Sequence, residues 1–359
     1  MGGGVGGRVG SDTRVKVFTS PSAGSNRLAI LEADRYPIEE DWIMAMTSAS
    51  VRLAAGVAAP PAPRASAKSL TIGVVGAGRV GTAMGAAFAH AGHTITGASG
   101  RSDLAVARIE AFLPGTPHRR AEDVVRAADL VIFAVPDDAL APLVAHLGES
   151  GAFRPGVIVA HTSGSHGIGI LHPATARGAL PLALHPAMTF TGAADDIDRL
   201  TSGISFGVTA PDNLKPLVTQ LVAELGGSPE WIPDDRRALY HTALAHGANH
   251  LVTLVNEAMD RLRDAGVIHP EKVLGPLLHA ALDNTLAMGD GALTGPVSRG
   301  DAGTIAKHLD TLAATAPDSV PTYLALARRT ADRAIASGRL SPMDAESLLG
   351  VLASQPAEF

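Results

Sequence analysis

Residues 70–85 read LTIGVVGAGRVGTAMG, and this stretch decides the fold. Leu70 to Val75 is a short, mostly apolar run of the kind that forms a strand buried on both faces. Gly76, Gly78 and Gly81 follow as G-x-G-x-x-G, and the Ala-rich text from Val80 to Ala91 predicts a helix. A second strand, HTITGAS (93–99), comes about 20 residues after the first. Alone the glycine pattern is weak, but a strand before it and a helix after it are the context a dinucleotide-binding turn needs. The first glycine permits a tight turn, the second lets backbone approach a pyrophosphate, and the third lets helix and strand pack closely. Phosphate would then sit on the helix N-terminus, where free N–H groups and the helix dipole favour anions. The expected cradle is Gly76, Ala77, Gly78, Arg79, Val80 and Gly81. The plainer alternative is a glycine loop used only for packing.

The end of the second strand bears on the kind of dinucleotide. A free ribose 2′-hydroxyl is usually met there by Asp or Glu. The text GASGRSD instead offers Ser99, Arg101 and Ser102, a cation between two hydroxyls, which favours NADP over NAD. Asp103 would reverse that preference if the strand ran further, and Arg101 read plainly is a solvated loop arginine.

Downstream, DLVIFAV (129–135), GVIVAHT (156–162), ALPLALHP (179–186) and GISFGVTA (203–210) predict more strands, with a helix over 212–227. Strands alternating with helices indicate an α/β domain with a parallel sheet. After Pro233 the pattern turns helical, with helices expected over 236–264, 270–288, 302–314, 319–336 and 342–353. Ser341-Pro342 with Asp344 marks the last start, combining an N-cap, proline at the first helical position and an early acid. Upstream, the first 69 residues run from a Gly-rich start to the Pro/Ala/Ser text VAAPPAPRASAKS, without apolar period. The expected organisation is a disordered extension over 1–69, a dinucleotide-binding domain over 70–235 and a helical substrate and dimerisation domain over 236–359. Met44 and Met46 are candidate natural starts.

Composition narrows the function classes. A net charge of −6 offers no basic face for nucleic acid. No uncharged stretch stays apolar for the ~18 residues that suggest a membrane span, and the N-terminus lacks a secretory core, so the expected location is cytoplasmic. With no cysteine, thiolate nucleophiles and thiolate metal sites are excluded. Fourteen histidines are present, yet none shows H-E-x-x-H spacing, and no metal is expected. HTSGSHG also lacks the G-x-S-x-G elbow of α/β hydrolases.

Several residues are placed to do chemistry. Val135 and Pro136 follow the third strand, at the carboxyl edge where open α/β sheets bind ligands, and would line the nicotinamide ribose. Asp137 and Asp138 read more simply as the cap of the next helix. His161 and Ser163 end the fourth strand and His185 the fifth, candidates for substrate binding on the same edge. In RRALYHTALAHGANHL, α-helical spacing puts His241, Ala245, Asn249 and Val252 on one face. His241 and Asn249 would give a proton donor and an amide beside an electrophilic carbon; the alternative is a packing histidine and an internal polar network. In the loop 292–309, Arg299 could grip a substrate carboxylate, Asp301 reads as a helix cap, and Lys307 is a further candidate donor.

The blocks GVVGAGRVGTAMG, AVPDD, HTSGS, LHPAMTF, YHTALAHGANH and LTGPVSRGDAGT occur in the order found in Rossmann-like oxidoreductases whose helical C-terminal domain is of unknown function, and residues 70–335 resemble that group. Wider relatives are of the 6-phosphogluconate dehydrogenase, pyrroline-5-carboxylate reductase and ketopantoate reductase types. The resemblance implies a Rossmann-type, mostly parallel sheet domain followed by an all-helical 6-phosphogluconate-dehydrogenase-like domain. It also implies an NADPH-dependent reductase with a cleft between the domains and a homodimer formed through the helices. The specific expectation is a reductase of a small 2-oxo acid of ketopantoate type; alternatives are an imine reductase of pyrroline-5-carboxylate type and a non-catalytic NADPH-binding sensor. One departure stands out. Hydroxyacid dehydrogenases of this kind carry a lysine one turn before the helix asparagine, and here that position is Ala245.

Overall fold

A computed structural model describes residues 69–354. The expected extension therefore lies outside the described residues, except for Ser69. The chain enters with β1 (Thr71–Val75), α1 (Arg79–His90) and β2 (Thr94–Ser99). Then come α2 (Asp103–Phe112), α3 (Ala121–Arg126), β3 (Leu130–Phe133), α4 (Asp137–Glu149), β4 (Ile158–His161) and β5 (Leu180–Pro186). After α5 (Asp195–Leu200), β6 (Ser205–Thr209), α6 (Lys215–Glu224) and β7 (Ser228–Trp231) complete the sheet. The strand order is β2-β1-β3-β4-β5-β6-β7. Pairing is parallel except between β5 and β6.

Alternate strand residues feed two cores, which explains why these strands read as nearly unbroken apolar runs. Leu130, Ile132 and Ala160 pack on one side with Met84 and Phe88 of α1. Val131, Phe133 and Val159 pack on the other with Leu140 and Leu147 of α4. Because β2 and β3 lie on opposite sides of β1, the crevice at the carboxyl ends of β1 and β3 is the switch point where such sheets bind ligands. β7 falls where no strand pattern is legible. It is a four-residue edge strand containing Pro229, and proline is tolerated at a sheet edge because one backbone donor there is unused.

Beyond β7 the described chain is helical: α7 (Arg237–Leu244), α8 (His250–Asp264), α9 (Pro270–Met288), α10 (Ala302–Thr315), α11 (Val320–Ala336) and α12 (Pro342–Ala353). Ser341 caps α12 by accepting from the Asp344 N–H, and Asp301 caps α10 by accepting from the Thr304 N–H, as expected for both. Ile305, Leu309, Leu324, Ala331, Leu348 and Leu352 form the core of α10, α11 and α12. By contrast, α8 buries no residue and α9 buries only Pro270.

The expected continuous helix over 236–264 is interrupted. Residues Ala245–Asn249 form a π turn, with the His250 N–H donating to the Ala245 carbonyl. An i→i+5 turn holds more residues than an α turn, so every later side chain is rotated off the α-helical register. His241 and Ala245 keep their shared face, but Asn249 and Val252 are rotated away from it, and Asn249 is exposed.

Candidate active site

The nucleotide crevice is built by three glycines with different surroundings. Gly76 has φ +101°, a left-handed conformation that favours glycine, and a Cβ there would lie 2.6 Å from the Ala134 carbonyl. At Gly81 a Cβ would collide with the Gly76 carbonyl oxygen. Gly78 is the opposite case: its Cβ direction is open, with nothing within 4 Å. The turn is also pinned from β2, since the Gly76 and Ala77 amides both donate to the Ser99 carbonyl at 2.9 Å. Gly78 is the N-cap of α1, with no side-chain cap and no acidic residue in the first turn. The amides at the start of α1 thus lack intrahelical acceptors beside an open space. Those are the features a pyrophosphate needs, so the residues present fit a dinucleotide.

Strand β2 ends at Ser99, and Asp103 is the first residue of α2, so no acid stands at the strand end. Arg101 and Ser102 are exposed beside it. Ser102 also caps α2, accepting from the Ala105 N–H, while its hydroxyl proton remains available to a ligand. Across the crevice, half-buried Val135 and exposed Pro136 follow β3. Asp137 and Asp138 are not the cap: Pro136 holds that position and Asp137 turns inward. The Ser165 hydroxyl donates to Asp137 at 2.6 Å. Burial works against the Asp137 charge, but hydrogen bonds from Ser165 and Ser163, with the nearby His166 and His241, hold it below the usual carboxylate range.

The carboxyl ends of β4 and β5 carry a polar cluster. Arg237, at the start of α7, is fully buried. It donates to the Ser163 carbonyl at 2.8 Å, the Thr209 hydroxyl at 3.0 Å and the Gly207 carbonyl at 3.3 Å, tying α7 to β6 and to the loop after β4. Asp234 secures the same loop by accepting from the Ile168 N–H at 2.7 Å. His185 is half-buried, with its Nδ1 3.0 Å from the Tyr240 hydroxyl. The His185 ring meets that of His241 edge-on, centroids 5.9 Å apart. Gly164 lies beneath the pair, where a Cβ would be 2.6 Å from His241 Cδ2 and 3.0 Å from His185 Nε2. Burial first, then the Arg237 charge and His241, push His185 down to about 4.

The two other expected substrate residues serve the loop. His161 is fully buried with its Nε2 3.2 Å from the Gly167 carbonyl, so it cannot face a ligand in the crevice. Ser163 is buried as well and accepts from the amides of Ser165 and His166. Arg299, Lys307 and Asn249 do not join the cluster through any hydrogen bond or ion pair. Arg299 and Lys307 are exposed near the Asp301 carboxylate, which both help hold below its usual range after its hydrogen bonds to Thr304. No group of three or more His, Asp or Glu side chains converges on a metal-sized site among the described residues. Sequence reading overlooked Arg237, Tyr240, Ser165 and the inward turn of Asp137. For the first two a signal was available, since Arg237, Tyr240 and His241 fall at i, i+3 and i+4 on one helix face.

Two domain models match this sequence: a Rossmann-like domain over residues 59–186, and a domain of unknown function, DUF2520, over 204–330. The chain carries a Rossmann-like domain followed by a DUF2520 domain. The DUF2520 match starts at Ile204 and takes in β6 and β7, whereas helical periodicity alone suggested a division near 235. Among solved structures, the fold resembles a protein of Bacteroides fragilis described as an NADP oxidoreductase, with TM-score 0.60 and 21% identity over 74% of this chain and 98% of that one. It also resembles protein TM1727 of Thermotoga maritima, with TM-score 0.55 and 21% identity over 75% and 100%. A third is a reductive aminase of Aspergillus terreus in complex with NADPH, with TM-score 0.56 and 22% identity over 76% and 95%. At these identities the likeness is one of fold. No curated protein matches. No helix among the described residues is long and apolar enough to cross a membrane.

The buried Rossmann-domain histidine makes a testable contribution to stability. Burial, then the Arg237 charge, push His161 from 6.5 to about 4. Between those values the unfolded chain binds the proton that the folded chain refuses, so stability is full above pH 6.5 and is lost as pH falls toward 4. From pH 7 to pH 5 the loss from this one group is about 2 kcal/mol. Urea unfolding at the two pH values should show it, and His161→Gln should flatten the slope; an unchanged slope would refute the assignment.

Proposed function

We propose that the protein is an NADPH-dependent oxidoreductase acting on a small substrate at the carboxyl edge of β4 and β5. The observation that carries this reading is the pairing of an open phosphate cradle at Gly78 with the His185–His241 pair on the same sheet edge. When bound, a reduced nicotinamide supplies a hydride. The amides at the start of α1 hold the pyrophosphate, Ser99, Arg101 and Ser102 receive a 2′-phosphate, and Val135 and Pro136 flank the nicotinamide ribose. His185 donates a hydrogen bond to the carbonyl oxygen or imine nitrogen, and His241 delivers the proton that completes reduction. The favoured substrate is a small 2-oxo acid of ketopantoate type, with Arg299 available to its carboxylate only if another chain or a domain movement brings the two together. A second reading, imine reduction, is favoured by alanine at position 245 and by the fold shared with a reductive aminase. Titration with NADPH and NADH, then a panel of 2-oxo acids and cyclic imines with absorbance at the nicotinamide band, tests the proposal. NADPH-selective binding with turnover is expected. Binding without turnover on any member would instead indicate a nucleotide sensor, and no binding would end the reading.

We also propose that the chain works as a homodimer through α8 and α9. Val273, Leu277, Leu282, Leu286 and Met288 of α9 are all exposed, as are Leu251, Val252 and Leu254 of α8. A helix this apolar without a covering face marks an interaction surface. An apolar groove of about 480 Å³ between α8, α10 and α11, lined by Leu254, Leu312, Tyr323 and Leu326, adds a complementary recess on the same chain. Light scattering should give twice the 36.6 kDa chain mass, and Leu277→Glu with Leu286→Glu should give the single mass. A monomeric wild type would refute it.

A further inference from the structure

The proton inventory around His185 leads beyond its place in the cluster. Its Nδ1 lies 3.0 Å from the Tyr240 hydroxyl, and the two rings meet edge-on with centroids 5.6 Å apart. Tyr240 is pressed against Gly207, where a Cβ would lie 2.5 Å from the phenol Cζ, so only glycine in β6 admits the ring at that depth. The Gly207 carbonyl beside the phenol accepts from Arg237 at 3.3 Å. Among the described residues, the recorded hydrogen-bond partner of the hydroxyl is His185 Nδ1. A phenol that donates to Nδ1 places the imidazole proton on Nε2, the nitrogen that overlooks Gly164 beside His241.

We propose that Tyr240 is a positioning residue that fixes His185 as a neutral imidazole with its Nε2–H turned into the crevice, making His185 a fixed hydrogen-bond donor to the substrate rather than an acid or base. The assignment rests on the oxidoreductase reading and specifies how its electrophilic contact is made. The charges around His185 act in the same sense. Arg237 and His241 of α7 oppose a positive imidazole, and the one facing carboxylate, Asp137 of α4, is engaged by Ser165 and Ser163. Tyr240 itself stays protonated, because burial raises it and Glu230 adds to that, while Arg237 and the Gly207 amide act the other way without overcoming them. The Arg237 guanidinium sits 5.9 Å from the centre of the Tyr240 ring, holding the phenol against β6. A neutral donor suits polarisation of a carbonyl, because the proton need not leave for charge to be stabilised in the transition state.

Nitrogen-15 correlation spectra of the histidine rings in the full-length protein read this directly. Wild type should show His185 as the Nε2–H tautomer at pH 7 and still neutral at pH 5. Tyr240→Phe keeps the ring packing but removes the donor, and should leave a mixture of tautomers. With a substrate found on the panel, the same variant should lose about tenfold in kcat with little change in KM or NADPH affinity. An Nδ1–H tautomer in wild type, or an unchanged tautomer in Tyr240→Phe, overturns the proposal. The predicted tautomers with no turnover on any substrate would leave this assignment standing and remove the oxidoreductase reading instead.

Discussion

Gly78→Ala is expected to leave the thermal stability of the nucleotide-free protein unchanged while weakening NADPH binding by about 10²-fold. The first half follows from the backbone. Gly78 sits at φ −81° and ψ −164°, an extended conformation open to any residue, and its Cβ direction meets nothing within 4 Å. The second half follows because that open space is where a pyrophosphate must approach the amides at the start of α1. A methyl group there pushes the phosphates off one or two charge-assisted hydrogen bonds, each worth about 1.5–3 kcal/mol. Gly81→Ala is the internal control. Its Cβ would strike the Gly76 carbonyl and press on Val74 and Ala134, both at 3.1 Å, so it should lower the melting temperature and the affinity together. Calorimetric titration with NADPH and thermal melts of both variants separate the cases. A glycine loop used only for packing would give Gly78→Ala wild-type affinity, and that result would sink the nucleotide assignment.

The cradle was legible because each of its requirements is local. A strand buried on both faces, three glycines at fixed spacing and an Ala-rich helix are properties of about 20 consecutive residues, and the structure places all of them within a residue or two of the expected bounds. The histidine pair was legible only in part. That His185 ends a strand could be read from LALHP, but its meeting with His241 depends on α7 lying over β6, a contact between segments more than 50 residues apart. Arg237 was missed for a related reason: in RRALYH it looks like a charge at an ordinary helix start, and its complete burial comes from carbonyls contributed by Ser163 and Gly207. His161 failed in the opposite sense, since its place at a strand end suggested exposure whereas the loop folds back over it. The π turn defeats a helical wheel by construction, because a wheel assumes one angular step throughout. Asn249 was placed on the His241 face by that assumption alone.

The same geometry separates two candidate proton donors. His241→Ala is expected to lower turnover by about 10²-fold, the low end for loss of a general acid, with NADPH affinity and fold intact. His241 is half-buried on α7, its ring against His185 and over Gly164, so it stands at the edge where the substrate must lie. Alanine is a strong helix former, and removal of a partly exposed ring there should cost little stability. Lys307→Ala supplies the contrast. Lys307 is exposed on α10 beside Asp301 and makes no bond to either histidine, so its loss should leave turnover unchanged. If instead Lys307→Ala loses turnover and His241→Ala keeps it, the proton comes from α10, and that helix, of this chain or of a second one, must close over the crevice. Steady-state rates of the two variants, beside melts and NADPH titrations that exclude misfolding, decide which side of the crevice holds the acid.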